Sequence, residues 1–277
     1  MGKTKGNRFL RTAGNVFAVI FIYFAFMLAA GAVRSFLGLE SSDAEYLSVS
    51  IANIALCIVL PLVVRKNIGR SIRERIGTGG LSPLDIVMAL FAVYAVPRLL
   101  MHLEGVFLAS SMTLQSGSDD EWTVFFFLAA VVIGPVAEEI FFRYAVMEQL
   151  KEILPRWIVI LLASLFFAAL HGYNIQGFTC MFVFFALSSV FYEWKRNLAF
   201  TVVLHIVYNL VVYILEAKAF DAFWEAVSRT ENGFIIYRPM GLLILGVTAA
   251  AAAIYFYFRM YSTRKVYNMY SKKEIRT

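Results

Sequence analysis

Ala137-Glu138-Glu139-Ile140-Phe141-Phe142-Arg143 decides how this chain is read. Two adjacent carboxylates and an arginine follow directly on the apolar run Val124 to Ile133, in a chain that is 60% hydrophobic. An ionisable side chain at membrane depth is costly and usually faces a bundle interior, where it marks function. The motif is therefore the feature that the rest of the sequence has to accommodate.

Outward from it, the 277 residues carry only 16% charged side chains and 26 phenylalanines, with a mean hydropathy of +0.72. Soluble domains carry about 25% charge, so this chain is not built to face water on all sides. Its apolar runs approach the roughly 20 residues that cross a hydrocarbon core, and they are continuous, not alternating as in a β-barrel. The expected class is an all-α polytopic membrane protein.

Eight spans are expected in a single membrane domain, residues 1–277: about Val16–Val33, Val49–Val64, Leu84–Met112, Trp122 onward, Trp157–His171, Phe178–Trp194, Leu198–Leu215 and Met240–Met260. The first is longer than the 7–15-residue core of a signal peptide, so it is expected to be retained. The third contains Pro97, Arg98, His102 and Glu104, which predicts a kinked, partly amphipathic helix. Trp122, Trp157 and Trp194 fall at span ends, where amphipathic rings favour the interface. Glu216 to Arg238 is the longest external loop, with an interfacial helix expected around Phe220 to Val227.

The loops alternate in charge. One set, including both chain ends, holds 19 Lys/Arg; the other holds 4, namely Arg34, Lys218, Arg229 and Arg238. Basic residues near span ends stay in the cytoplasm, so both termini are expected there, in a cell membrane. The net charge of +6 is scattered over short loops and gives no nucleic-acid surface. Cys57 and Cys180 lie inside apolar runs, where lone thiols behave as small hydrophobes. The small-residue run Thr248–Ala253 reads as a helix-packing face. Neither an internal repeat nor paired broken helices occur, which argues against a transporter.

Filtering the spans for polar residues leaves Arg98, His102, Glu104, Glu138, Glu139, Arg143, His171, His205 and Asn209. On a helix Glu139 and Arg143 are i and i+4 and can pair; Glu138 is rotated about 100° away and stays free to take a proton. Splitting two carboxylates in this way divides acid–base roles. His205 and Asn209 are also i and i+4, and together can offer two hydrogen bonds to one oxygen, as an oxyanion hole requires. His102 and Glu104 lie on different faces and suit structural or rim roles. No H-E-x-x-H, G-x-S-x-G or Walker loop occurs.

Lys151–Pro155 reads as the turn of a helical hairpin that brings His171 to within about 5 Å of the level of Glu138. His171 should stand roughly 21 Å above Trp157, but His205 only about 8 Å above Phe200. The three meet only if the hairpin protrudes or the helices tilt strongly, and Gly134-Pro135 is a candidate kink.

Glu138-Glu139 with Arg143, Phe167 with His171, and His205 with Asn209, on successive helices in that order, resemble the CPBP family. These are the type II CAAX prenyl proteases and the bacteriocin-processing and immunity (Abi) proteins. The resemblance covers about Val124 to Leu215, inside a motif-bearing core at 122–215. It implies an eight-helix intramembrane endopeptidase acting on a membrane-associated peptide or protein. Glu138 and His171 would activate water, His205 and Asn209 would hold the oxyanion, and Glu139 with Arg143 would shape the site around them. Zn²⁺ on Glu138, His171 and His205 is the alternative chemistry. A metal-free glutamate mechanism is preferred, because Asn209 is a poor zinc ligand and a good oxyanion donor. A non-catalytic membrane immunity or binding protein on the same fold is the alternative function.

Overall fold

The computed structural model describes residues 2–68, 72–77, 82–114, 123–171, 174–215 and 220–274. Trp122, Glu216 and Lys218 of the sequence argument lie outside them. The chain is an all-α polytopic membrane protein. Beside a single helical turn at Arg73–Ile76, its helices are α1 (Gly2–Phe36), α2 (Ser42–Ile68), α3 (Pro83–Leu108), α4 (the composite Val124–Leu150), α5 (Arg156–His171), α6 (Ile175–Lys195), α7 (Leu198–Leu215), α8 (Asp221–Val227) and α9 (Pro239–Glu274).

Local chemistry fixes where several begin and end. Ser82 caps α3 by accepting from the Asp85 N–H, with Pro83 in the first turn where its missing N–H costs nothing. Thr123 and Asn174 cap α4 and α6 in the same way. Arg196, left-handed at φ 52°, stops α6, and Asn197 accepts from the Phe200 N–H to start α7. Pro97 lies inside an unbroken α3.

Among the described residues, seven helices are long and apolar enough to cross a membrane. The eighth expected span, α5, has 16 residues. It rises about 24 Å, short of the roughly 30 Å hydrocarbon core. The bundle is inside-out by soluble standards. Phe21, Phe107 and Trp157 are each more than 70% exposed, whereas Glu139 and Arg143 are completely buried. Large apolar side chains face where lipid belongs, and charge is turned inward.

One end of the bundle is tied by ion pairs. Arg8 meets Glu152 at 3.7 Å, and Lys151 meets Glu148 and Glu193. Completely buried Asp85 accepts from Lys195, from Tyr255 at 2.5 Å and from Arg259 at 3.4 Å, which binds α3, α6 and α9 together. These contacts put the first residues of α1 and the Arg259 segment of α9 at the same end.

Residues 220–238 depart from a simple loop. The expected helix is α8, and it runs into a hairpin of β1 (Ser228–Glu231) and β2 (Phe234–Tyr237), with Ser228 opposite Tyr237 and Glu231 opposite Phe234. Asn232 and Gly233 turn it at φ 50° and 82°, the left-handed pair that matches strand twist. Gln176 of α6 anchors the hairpin: its amide nitrogen donates to Met101 and Ile235 carbonyls at 2.6 and 3.0 Å, and its oxygen accepts from the Ile235 N–H at 2.8 Å. His102 Nδ1 accepts from the Tyr237 N–H at 3.0 Å, which supplies the structural role expected of that residue. Gln176→Leu leaves the Ile235 N–H and carbonyl without their side-chain partner, at about 1–3 kcal/mol per buried group. Amide exchange at residues 234–237 should accelerate at least tenfold while exchange in α7 is unchanged. Equal protection in both proteins would remove Gln176 as the anchor.

Candidate active site

The composite helix α4 sets the site. Leu128–Ile133 and Ile140–Met147 are wound as π-helix around an α turn at Gly134–Glu139, and such bulges mark functional sites in many helices. The cause is local. The Gly134 N–H donates to the Ala129 carbonyl, five residues back, and a Cβ on Gly134 would lie 2.7 Å from that oxygen. One step further along, Pro135 has no N–H to give, which leaves the Ala130 carbonyl without a ladder donor. Asn209 of α7 supplies one through its amide nitrogen at 2.8 Å.

Glu138 and Glu139 diverge from this turn as helical spacing requires. Glu139 Oε2 accepts from Arg143 Nε at 3.1 Å, and its Oε1 lies 3.2 Å from His205 Nδ1. Arg143 also donates to Ser188 Oγ at 2.7 Å, Ser189 Oγ at 2.5 Å and Met147 Sδ at 3.4 Å, and lies 3.6 Å over the Phe185 ring. Every polar edge of this buried pair is therefore occupied, as a charge pair at membrane depth requires.

Glu138 instead faces two imidazoles. Its Oε1 is 3.4 Å from His171 Nε2 and its Oε2 is 3.8 Å from His205 Nε2. Its side chain keeps 18% exposure and that of His171 32%, so the pair opens to a visitor while Glu139 does not. Both rings are oriented from behind. His171 Nδ1 bonds the Phe167 carbonyl at 2.9 Å, and the ring stacks on Phe167 at 4.2 Å. A carbonyl and an ionised carboxylate only accept. Both Nδ1 atoms are thus donors, and each histidine turns Nε2 toward Glu138.

The hairpin geometry resolves the difference in depth. Glu148, Tyr192, Glu193 and Arg196 stand at one level, linked by Tyr192–Glu148 at 3.2 Å and Lys151–Glu193 at 2.6 Å. The turn between α4 and α5 continues past that level by about five residues, or 7 Å. His171, about 22 Å along α5, therefore returns to about 15 Å above the Glu148 level. Glu138 stands about 15 Å and His205 about 12 Å above it. The protruding hairpin brings all three together.

Asn209 differs from expectation in one respect: one of its two amide N–H groups is spent on Ala130, which leaves one for any ligand. Sequence reasoning missed Ser188 and Ser189, neutral residues that a filter built on ionisable side chains passes over. Two adjacent serines in an otherwise apolar helix were the available signal. His102 and Glu104 stay apart from the centre: His102 holds the hairpin, and Glu104 accepts from Thr179 Oγ1 at 2.5 Å.

Glutamate and histidine are ligand types that zinc accepts. Here, however, each oxygen of Glu138 is matched to a different imidazole, so the carboxylate bridges two rings instead of sharing one focus with them. Among the described residues no group of three or more His, Cys, Asp or Glu is arranged to hold a metal ion.

The fold and site together define a polytopic helical membrane protein with a buried carboxylate–imidazole centre. Residues 120–211 match the family model of type II CAAX prenyl endopeptidase Rce1-like proteins, which agrees with the CPBP resemblance of the three motifs. The match covers 92 of the 277 residues, the segment that carries all three motifs. No curated protein and no solved structure matches it.

Proposed function

We propose that this protein is an endopeptidase that hydrolyses a peptide bond in a membrane-associated peptide or protein, with Glu138 as general base. The cell membrane is its proposed location, with both termini cytoplasmic. The observation that carries the reading is the convergence of His171 and His205, each through Nε2, on the two oxygens of Glu138.

Glu138 and Glu139 carry two negative charges and Arg143 one positive, so the buried cluster is neutral once it holds one further proton. Glu139 backs the His205 ring at Nδ1, so that an Nε2–H of the imidazolium form can face the developing oxyanion, beside the remaining Asn209 N–H. Glu138 takes a proton from water as the oxygen attacks the carbonyl carbon, then returns it to the departing amine nitrogen. Between these steps the protonated Glu138 donates its O–H to the Nε2 lone pair of His171, which holds the carboxyl group in place. Water is consumed, its hydroxyl on the new carboxyl and its proton on the new amine. The test is cleavage by Glu138→Gln against wild type in a folded, membrane-inserted state.

The chemistry needs no cofactor in this reading. Purified protein should cleave at an unchanged rate after chelation, with bound metal far below one equivalent. Loss of activity on chelation, restored by Zn²⁺, would replace the glutamate mechanism with a metal one.

A further inference from the structure

Arg98 lies outside the machinery described so far, and its surroundings are unusual for a charged side chain. It sits about mid-helix on α3 and is 8% exposed. Its Nη1 donates to the Tyr94 carbonyl at 3.3 Å, and its guanidinium carbon stands 3.6 Å over the Tyr94 ring and 6.0 Å from the Tyr208 ring. The other groups facing it are the Tyr237 phenol and the Cys180 thiol. Among the described residues no carboxylate comes within salt-bridge distance. Glu104, six residues on and rotated about 120° away, is turned to Thr179. Asp221 and Glu225 of α8 are exposed.

A buried guanidinium at this depth is expensive without a counter-charge. Aromatic faces lower that cost, and the Tyr94 carbonyl and the Tyr208 and Tyr237 hydroxyls accept from some of its five N–H donors, but neutral partners do not cancel the charge. Arg98 also lines a cavity of about 40 Å³, walled by Trp224 and Phe223 of α8, by Tyr237, and by Gly241 and Leu245 of α9. At about 10–15 Å³ per water-sized occupant, it takes an ion or a small carboxylate and excludes a phospholipid headgroup. Its lining is mostly apolar, with Arg98, Tyr94 and Tyr237 among it and no acidic side chain.

We infer that the Arg98 cavity is a binding site for one small monovalent anion, of the chloride or formate class, held by the Arg98 guanidinium and the Tyr237 hydroxyl. The anion is the counter-charge that the described residues do not supply. The site joins α3, α8, β2 and α9, so its occupancy ties the outer hairpin segment to the bundle.

The test uses purified full-length protein in detergent at constant ionic strength, with ³⁶Cl⁻ as the probe. Wild type should bind about one chloride per chain, displaced by bromide or formate and not by gluconate. Its melting temperature should rise with chloride over gluconate and then saturate, as linkage to a native-state ligand requires. Arg98→Gln should weaken binding at least tenfold and abolish the chloride-dependent rise. Tyr237→Phe removes a single hydroxyl and should weaken binding severalfold, which keeps the test decisive if Arg98→Gln does not fold. Absence of saturable binding to wild type overturns the site. So does unchanged affinity in Tyr237→Phe, or in a folded Arg98→Gln, or equal competition by gluconate.

Discussion

Glu138→Gln is expected to lower the turnover number by 10³–10⁴-fold while leaving KM and the melting temperature near wild type. The size follows from the role. A positioned general base contributes about 10²–10⁴-fold, and here the same carboxylate also returns the proton to the leaving amine. The selectivity follows from the geometry. Glutamine has the shape of glutamate, so packing beside Gly134 is kept, and the amide can still bond an imidazole across the 3.4 Å to His171 Nε2. What it lacks is a basic oxygen.

Glu139→Gln should behave differently. It leaves Glu138 in place and removes the anion behind His205 Nδ1, so activity should fall about 10–100-fold, as for other groups that orient a functional imidazole. It should also cost stability, because Arg143 loses its only carboxylate partner among the described residues. The two substitutions therefore separate a base from a positioning anion within one pair of adjacent residues. Wild-type turnover by a folded Glu138→Gln protein would leave the non-catalytic immunity or binding role as the better account of the same fold.

The pairing of Glu139 with Arg143 was legible because i,i+4 spacing on a helix is a local property of the chain. So was the membrane class, since long apolar runs have few other uses. The meeting of Glu138, His171 and His205 was less so. It depends on how far one interhelical turn projects beyond the next, and that is set by ion pairs among Glu148, Lys151, Glu193 and Arg196 on different helices. A residue count along each helix gives heights from separate origins; only the tertiary contacts tie the origins together. Asn209 shows a second limit. Its spacing from His205 is visible in sequence, but its bond to Ala130 depends on the π-helical turn and on Pro135 lacking an N–H. Asn232-Gly233 before Phe234-Ile-Ile-Tyr237 is a hairpin signal of ordinary strength, overshadowed by reading the whole segment as an interfacial loop.

Arg143→Met is expected to destabilise the protein by about 3–5 kcal/mol, the range for breaking a buried ion pair from one side. Methionine matches the length of the arginine stem and leaves the bulk of the packing against Phe185. The loss then comes from charge: Glu139 becomes an anion in an apolar interior, opposed only by His205. Ser188 and Ser189 soften this little, because both hydroxyls donate to the Phe185 carbonyl, at 3.1 and 2.6 Å, and presented oxygen lone pairs to the arginine. Removing both charges together reverses the argument. Glu139→Gln with Arg143→Met buries no net charge and should recover most of the lost stability, since a buried pair is worth little against neutral replacements of similar volume. Cleavage should not recover with it, because His205 still lacks an anion behind Nδ1. Detergent-state unfolding of the three variants, with turnover measured on each, reads both quantities. A single Arg143→Met variant within about 1 kcal/mol of wild type would mean that solvent reaches the pair, and that Glu139 is not the buried anchor from which the centre is built.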